Sequence, residues 1–365
     1  MDGANKYDIF CVAPPGLEHI LQVEAYDIGL PNPKLVPGGV AIVGTLQDVI
    51  RANHELRCAV RVLLRVAEFR AMHLAQLDKR ARKVDWAAWL PAGTAIQVEA
   101  TCRKSKIYHN RAAAERVVRA VVNGADAVLS DRPAVRLKVR IEDDLCTISI
   151  DTSGDALHKR GHKGAVGKAP LRENLAAMCL RACGYSPGEP LVDPMCGSGT
   201  FPIEAAEMAI GLQPGRSRDF AYQHLHFAAQ ASAVPDSRTV APLFFGYDRD
   251  QGAIQSCAAN AKQAGVGGVV QFAQQPVSDL RPPMAQQGLV IVNPPYGARI
   301  GNKKQLYGLY GAFGHVMRDH FKGWRVGLVT SEPALAQATG LHWAQTIGPF
   351  PNGGLKVTLY KTATL

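Results

Sequence analysis

No stretch of the sequence approaches the ~18 consecutive apolar residues that a membrane-spanning helix needs. The first ten residues, MDGANKYDIF, lack a basic segment followed by an apolar one, so no secretory leader is expected. Eight cysteines are scattered without a single Cys-x-x-Cys pair. That absence removes the usual spacing of a structural zinc site or a thioredoxin-type centre, and no metal is expected. Cys179 and Cys183 lie on one face of an expected helix and suit buried thiols in a reducing, cytoplasmic setting. Internal repeats and low-complexity tracts are also missing. Acidic residues are in short supply, 31 against 41 Lys and Arg, for a net charge of +10. That imbalance favours a polyanionic partner. With 47% hydrophobic and 20% charged residues over 365 positions, the chain reads as two or three ordinary globular domains.

The first half alternates expected strands (Tyr7–Val12, Val36–Val43, Arg61–Phe69, Ala95–Cys102) with expected helices (Leu17–Ile28, Leu46–Leu56, Leu74–Trp89, His109–Val122). Asn123-Gly124 reads as the stop of the last helix. Val135–Glu142 and Cys146–Asp151 form a hairpin across Asp143-Asp144. From Leu171 onward, short apolar runs alternate with helical stretches: Leu191–Asp193, Phe244–Asp248, Val269–Phe272, Leu289–Val292 and Val326–Thr330. Continuous apolar strands separated by helices indicate a parallel sheet covered on both faces. A last strand, Leu355–Thr362, follows Asn352-Gly353-Gly354.

Leu191-Val-Asp-Pro-Met-Cys-Gly-Ser-Gly-Thr200 is a strand, a glycine turn and a helix start. Glycines let the backbone approach a ligand, and a helix N-terminus offers unpaired N–H groups. A P-loop would need Gly-Lys-Ser/Thr, and a dinucleotide loop would need a third glycine where Pro202 stands. S-adenosylmethionine remains. Asp193, at the strand end, suits its ammonium. Pro194, Cys196, Gly197, Gly199 and Thr200 form the rest of the cradle. Asp248, 55 positions on, can accept from a ribose diol or cap the helix from Gln251. That spacing implies an insertion over about 212–242.

Val290-Ile-Val-Asn-Pro-Pro-Tyr-Gly297 places a second motif after an apolar strand. An amine conjugated to a ring or carbonyl must pyramidalise before it attacks a sulfonium methyl. Asn293 Oδ1 and the Pro294 carbonyl can accept its two N–H groups and aim its lone pair. A neutral Asn does this without burying an unpaired charge. Tyr296 can stack on a flat target.

Together these strings resemble the class I S-adenosylmethionine-dependent amino-methyltransferases. More closely they resemble bacterial THUMP-domain RNA methyltransferases that form N2-methylguanosine in 23S rRNA. Asp151-Thr-Ser-Gly-Asp-Ala-Leu-His-Lys-Arg-Gly161 and Ala169-Pro-Leu-Arg-Glu-Asn-Leu-Ala-Ala177 carry the likeness beyond the two motifs. The resemblance implies an α/β protein with a ferredoxin-like subdomain (1–60), a THUMP RNA-binding domain (61–155), a linker (156–170) and a Rossmann-like methyltransferase domain (171–365). That last domain would hold a seven-stranded mixed sheet ending in an antiparallel hairpin strand. Family members carry an acid after the third strand that binds the cofactor adenine. Here the aligned position is Pro276, so Asp279, Ser278 or a backbone carbonyl takes its place.

Two acid-free basic windows suit RNA: Arg103, Lys104, Lys106, Tyr108 and Arg111, and then Lys159, Arg160 and Lys163. Methylation of a tRNA guanine, an adenine in DNA or a protein glutamine uses related chemistry. A non-catalytic RNA-binding assembly factor is the alternative of a different kind.

Overall fold

The computed structural model describes residues 5–162, 164, 171–228, 239–241, 243–296 and 303–365. It divides into two compact units. The first is built on one eight-stranded sheet. Its strands are β1 (Tyr7–Val12), β2 (Lys34–Val36), β3 (Gly39–Gly44), β4 (Arg61–Arg70), β5 (Ala95–Arg103), β6 (Val128–Leu129), β7 (Val135–Glu142) and β8 (Leu145–Asp151), in the order β2-β3-β1-β4-β8-β7-β5-β6. The long strand β4 pairs with β1 on one side and β8 on the other, so the ferredoxin-like and THUMP portions share a continuous sheet. The β7–β8 turn falls on Asp143 and Asp144, both at positive φ (49° and 63°), as a two-residue type I′ hairpin requires. A segment from the second half of the chain, 218–228, also belongs to this unit. There Arg218 donates to the carbonyls of Ser153, Asp155 and Ala156, and the Tyr222 hydroxyl lies 2.9 Å from His54 Nε2.

Two helices of this unit depart from the sequence reading. The helix expected over Leu74–Trp89 stops at Ala81. Trp86 then turns inward, 1% exposed, with its indole N–H on the Ala81 carbonyl. The helix expected to stop before Asn123-Gly124 runs through both, over Asn110–Ala125, and ends on Asp126 at φ 50°. Gly124 is a packing residue: a Cβ there would lie 2.8 Å from Trp86 Cδ1.

The second unit holds the seven-stranded mixed sheet. Its strands are β9 (Leu191–Asp193), β10 (Phe244–Asp248), β11 (Val270–Gln274), β12 (Leu289–Val292), β13 (Arg325–Thr330), β14 (Gln345–Asn352) and β15 (Leu355–Lys361), in the order β11-β10-β9-β12-β13-β15-β14. β9 to β13 run parallel, and β15 is antiparallel to β13 and β14. The chain leaves β9 toward β10 and β11, then returns to add β12 and β13 on the other side. Ligands of such sheets sit at the carboxyl ends of the strands flanking that reversal. β14 escapes the sequence reading because it is an edge strand with an irregular register at Gly348-Pro349 and a mostly exposed face.

An alanine in a helix interior ordinarily adds up to ~1 kcal/mol over glycine. At position 124 the added methyl meets the Trp86 ring, and overpacking of that kind costs ~1–3 kcal/mol. Gly124→Ala should therefore lower the stability of the first unit. Denaturant unfolding followed by tryptophan fluorescence measures this, and a stabilised variant would contradict the packing assignment.

Candidate active site

Between β9 and the helix Thr200–Ile210 the chain makes a tight loop with Gly197 at φ 54° and Gly199 at φ 81°. Neighbouring elements hold this loop by its backbone. Asp248 Oδ2 accepts from Gly197 N at 3.0 Å, Tyr247 O from Cys196 N at 2.9 Å, and Asn260 Nδ2 donates to Ser198 O at 3.0 Å. Cys257 Sγ lies 3.2 Å from Gly197 O and 3.6 Å from Cys196 Sγ. A Cβ on Gly199 would meet Cys257 Sγ, Ile203 Cδ1 and Phe272 Cζ, each at 3.2 Å, so only glycine fits there. Gly197 is the opposite case: a Cβ there would have open space. One side of the loop is packed and the other is open for a ligand.

Asp193 is buried, and burial pushes its carboxyl well above the usual range; a hydrogen bond from Met195 N at 3.2 Å works against the rise, and the nearby Asp248 adds to it. A buried carboxylate in that condition suits a cationic ligand. Asp248 is half-buried, with Oδ1 accepting from Asp250 N at 3.0 Å. The cap of the helix Gln251–Gln263 is Asp250, which accepts from Gly252 N, so Asp248 is not that helix's cap. Two lone pairs on Asp248 remain beyond the bonds to Gly197 and Asp250.

Pro194 and Thr200 are buried with the loop, and the Cys196 thiol is 6% exposed against Cys257 and Ile254. The Cys196 backbone is engaged within the loop, its N–H on the Tyr247 carbonyl and its carbonyl accepting from Gly199 N at 2.8 Å, so Cys196 shapes the loop while its sulfur packs inward. Pro276 is exposed and opens a short 3-10 turn over Val277–Asp279. Asp279 is exposed, with Oδ1 accepting from the Ser278 hydroxyl at 3.0 Å.

Asn293 directly follows β12. That strand pairs with β9 in the register Leu289–Leu191 and Val290–Val192. By continuation, Asp193 stands level with Ile291, and Asn293 lies two residues beyond it. Asn293 Oδ1 is buried and has no hydrogen-bond partner among the described residues. Pro294 is buried, and so is Tyr296, whose hydroxyl accepts from Asn352 Nδ2 at 3.2 Å. Burial raises the Tyr296 phenol, and the bond from Asn352 opposes the rise. The Tyr310 hydroxyl lies 3.3 Å from Pro295 O. Sequence reasoning missed Asn260, Cys257, Tyr310 and Asn352. Cys257 and Asn260 share a helix face by their i, i+3 spacing, the one available signal. Asn352 reads only as a turn residue beside two glycines.

Three family descriptions match the chain: an RlmL ferredoxin-like domain over residues 8–63, a THUMP domain over 71–151 and an RMKL-like methyltransferase domain over 160–360. The chain belongs to the RMKL-like methyltransferase family. Its methyltransferase domain is of the S-adenosylmethionine-dependent class. Among its relatives, the Synechocystis protein slr0064 is 31% identical over 98% of this chain and 97% of its own length. The ribosomal RNA large subunit methyltransferase K/L of Syntrophotalea carbinolica is 36% identical over 98% of this chain. The chain spans about half the length of that relative, 53%. The crystal structure of SMU.472 in complex with S-adenosylhomocysteine superposes with a TM-score of 0.87 at 28% identity, covering 99% of this chain and 98% of that one.

The two basic windows fare differently. Arg103, Lys104, Lys106, Tyr108 and Arg111 are all exposed, Tyr108 by 72%. Their loop is pinned by Asp144, which accepts from Lys106 N at 2.8 Å, and by Asn110, which accepts from Cys102 N. Arg111 pairs with Glu115 on the surface. In the second window Lys159 is exposed and Lys163 lies outside the described residues. Arg160 corrects the sequence reading. It is 1% exposed and donates to Glu204 at 3.1 Å, on the helix that starts at the glycine loop. One helical turn on, buried Glu207 takes His162 at 3.3 Å and Arg216 at 2.6 Å. A buried, paired guanidinium is an internal strut, unavailable to a phosphate. Breaking a buried pair by removing one partner costs ~3–5 kcal/mol, whereas apolar replacement of both is milder. Arg160→Leu should destabilise the second unit strongly, and adding Glu204→Leu should recover most of the loss. Thermal unfolding of the two variants tests this; a harmless Arg160→Leu would return the residue to the surface role.

Proposed function

We propose that this protein transfers a methyl group from S-adenosylmethionine to the exocyclic N2 amine of a guanosine in 23S rRNA. The observation that carries the reading is Asn293 Oδ1, a buried acceptor with no donor among the described residues, at the carboxyl end of a parallel strand. A buried unpaired carbonyl costs ~1–3 kcal/mol. An amine N–H of a target base would satisfy it. The cofactor supplies the electrophilic sulfonium methyl. Asp193 takes the cofactor's ammonium, the open side of Gly197 admits its backbone, and the spare lone pairs of Asp248 accept its ribose hydroxyls. Pro194, Cys196, Gly199 and Thr200 shape that cradle through their backbone, and Asp279, Ser278 or a backbone carbonyl accepts from the adenine amine. At the tetrad, Asn293 Oδ1 and the Pro294 carbonyl each accept one amine N–H. The nitrogen lone pair is thereby withdrawn from the ring and turned toward the methyl. No strong base is required, because the amine becomes acidic only as the methyl arrives. Tyr296 stacks on the base.

The RNA component of the reading is supported by the THUMP match and the exposed Arg103–Arg111 loop. The large-subunit target is supported by the name of the Syntrophotalea relative, half of whose length this chain spans. Methylation of tRNA guanine or DNA adenine would use the same tetrad, and product identity separates them.

Asn293→Ala should fold and bind cofactor yet lose ~10²–10³ in methyl transfer, the usual cost of one preorganised polar group at a reacting centre. Asn293→Asp keeps an acceptor and should retain part of the rate. Single-turnover assays with product nucleosides identified by mass test both. Wild-type turnover in Asn293→Ala would remove the tetrad from the mechanism.

Charge reversal at Arg103, Lys104 and Lys106 should weaken RNA binding and flatten its salt dependence by ~0.7 in log–log slope for each single-strand phosphate that is no longer neutralised. Cofactor affinity should be unchanged. Binding isotherms across a salt series measure this, and an unaltered slope would make the loop ordinary solvated surface.

A further inference from the structure

The tetrad is braced by side chains far from it in sequence. Asn352, the last residue of β14, donates from Nδ2 to the Tyr296 hydroxyl at 3.2 Å, and both residues are buried. Tyr310, on the helix Lys303–His320, places its hydroxyl 3.3 Å from the Pro295 carbonyl and 3.4 Å from Thr330 Oγ1, at the end of β13. The two braces therefore reach the two residues that follow Pro294.

Asn352 Oδ1 is buried and has no hydrogen-bond partner among the described residues. An apolar side chain of similar shape would remove that carbonyl and at the same time leave the buried Tyr296 hydroxyl without the Asn352 donor. What the amide contributes is the bond to Tyr296. The tyrosine hydroxyl lies on the axis of its χ2 rotation, so a bond to it fixes where the ring stands rather than its spin. Proline at 294 and 295 restricts the backbone leading into Tyr296. The Asn352 bond then removes the χ1 freedom that remains. A stacking surface fixed at both ends holds a flipped base at one distance from the methyl, and small misplacements of reacting groups are costly in rate.

We propose that Asn352 is a positioning residue for methyl transfer: it holds the Tyr296 ring, through its hydroxyl, where the target base stacks. The proposal rests on the methyltransferase reading of the tetrad. Its test uses the full chain, an unmodified 23S rRNA transcript and S-adenosylmethionine, with methylated nucleosides identified by mass. Asn352→Leu should lower kcat by about tenfold or more while the KM for S-adenosylmethionine stays within about twofold. Its melting temperature should change little, since the buried Asn352 carbonyl is removed while the buried Tyr296 hydroxyl loses its donor. In Asn352→Asp the Tyr296 O–H can donate to the carboxylate, so most of the kcat should return. Tyr296→Phe breaks the same bond from the other end. If the bond is the whole effect, Tyr296→Phe with Asn352→Leu should be no slower than the slower single variant. Wild-type kcat in Asn352→Leu, or losses that multiply in the double variant, would overturn the proposal. A wild-type protein that binds S-adenosylmethionine and methylates no nucleoside in any cellular RNA would instead overturn the reading on which it rests.

Discussion

A buried carbonyl oxygen that has no donor among the described residues is the feature on which the proposed chemistry of the second unit depends. Asn293 Oδ1 stands at the end of β12, a strand whose four residues are all buried. The chain leaves the ladder there through Pro294 and Pro295, which have no backbone N–H. The β9–β12 register sets Asn293 two residues beyond the level of Asp193, and Tyr310 and Asn352 bond to the two residues that follow Pro294. An acceptor held in this way is ready for a donor that arrives with a ligand, and it needs no reorganisation when the donor comes.

The glycine loop follows the same logic with backbone instead of side chains. Asp248, Asn260, Cys257 and the Tyr247 carbonyl all hold atoms of Cys196, Gly197 or Ser198. The helix that begins at Thr200 is anchored further along by Arg160 on Glu204 and by His162 and Arg216 on Glu207. Burial lowers the pKa of His162, with Glu207 opposing the shift, so the imidazole favours its neutral form there. Arg160 and His162, from the stretch that joins the two halves of the sequence, thus anchor the helix that follows the glycine loop. The basic residues of that stretch do not act as one group: Lys159 faces solvent while Arg160 does not.

Much of this was legible in the sequence where local chemistry decides the outcome. Gly197 and Gly199 at positive φ, the Asp143-Asp144 turn, and the apolar runs of β9, β10 and β12 follow from periodicity and turn rules alone. What escaped depends on tertiary context. Gly124 reads as a helix stop until Trp86 is seen packed against it. Arg160 reads as a surface cation because one sequence window does not show Glu204, 44 residues away. β14 is hidden by Gly348-Pro349 and an exposed face, and with it the role of Asn352. Asp248 had two candidate roles, and Asp250 takes the helix cap.

The central claim is that the buried Asn293 side-chain oxygen receives an amine of a ribosomal guanine. The most direct measurement compares nucleosides from 23S rRNA of cells with and without the gene, by mass spectrometry against N2-methylguanosine standards, with restoration by the wild-type gene. The account predicts that one N2-methylguanosine is lost without the gene and restored with it. An unchanged N2-methylguanosine content, with the lost methyl group instead on a ring nitrogen, a ribose or a carbon, would contradict it.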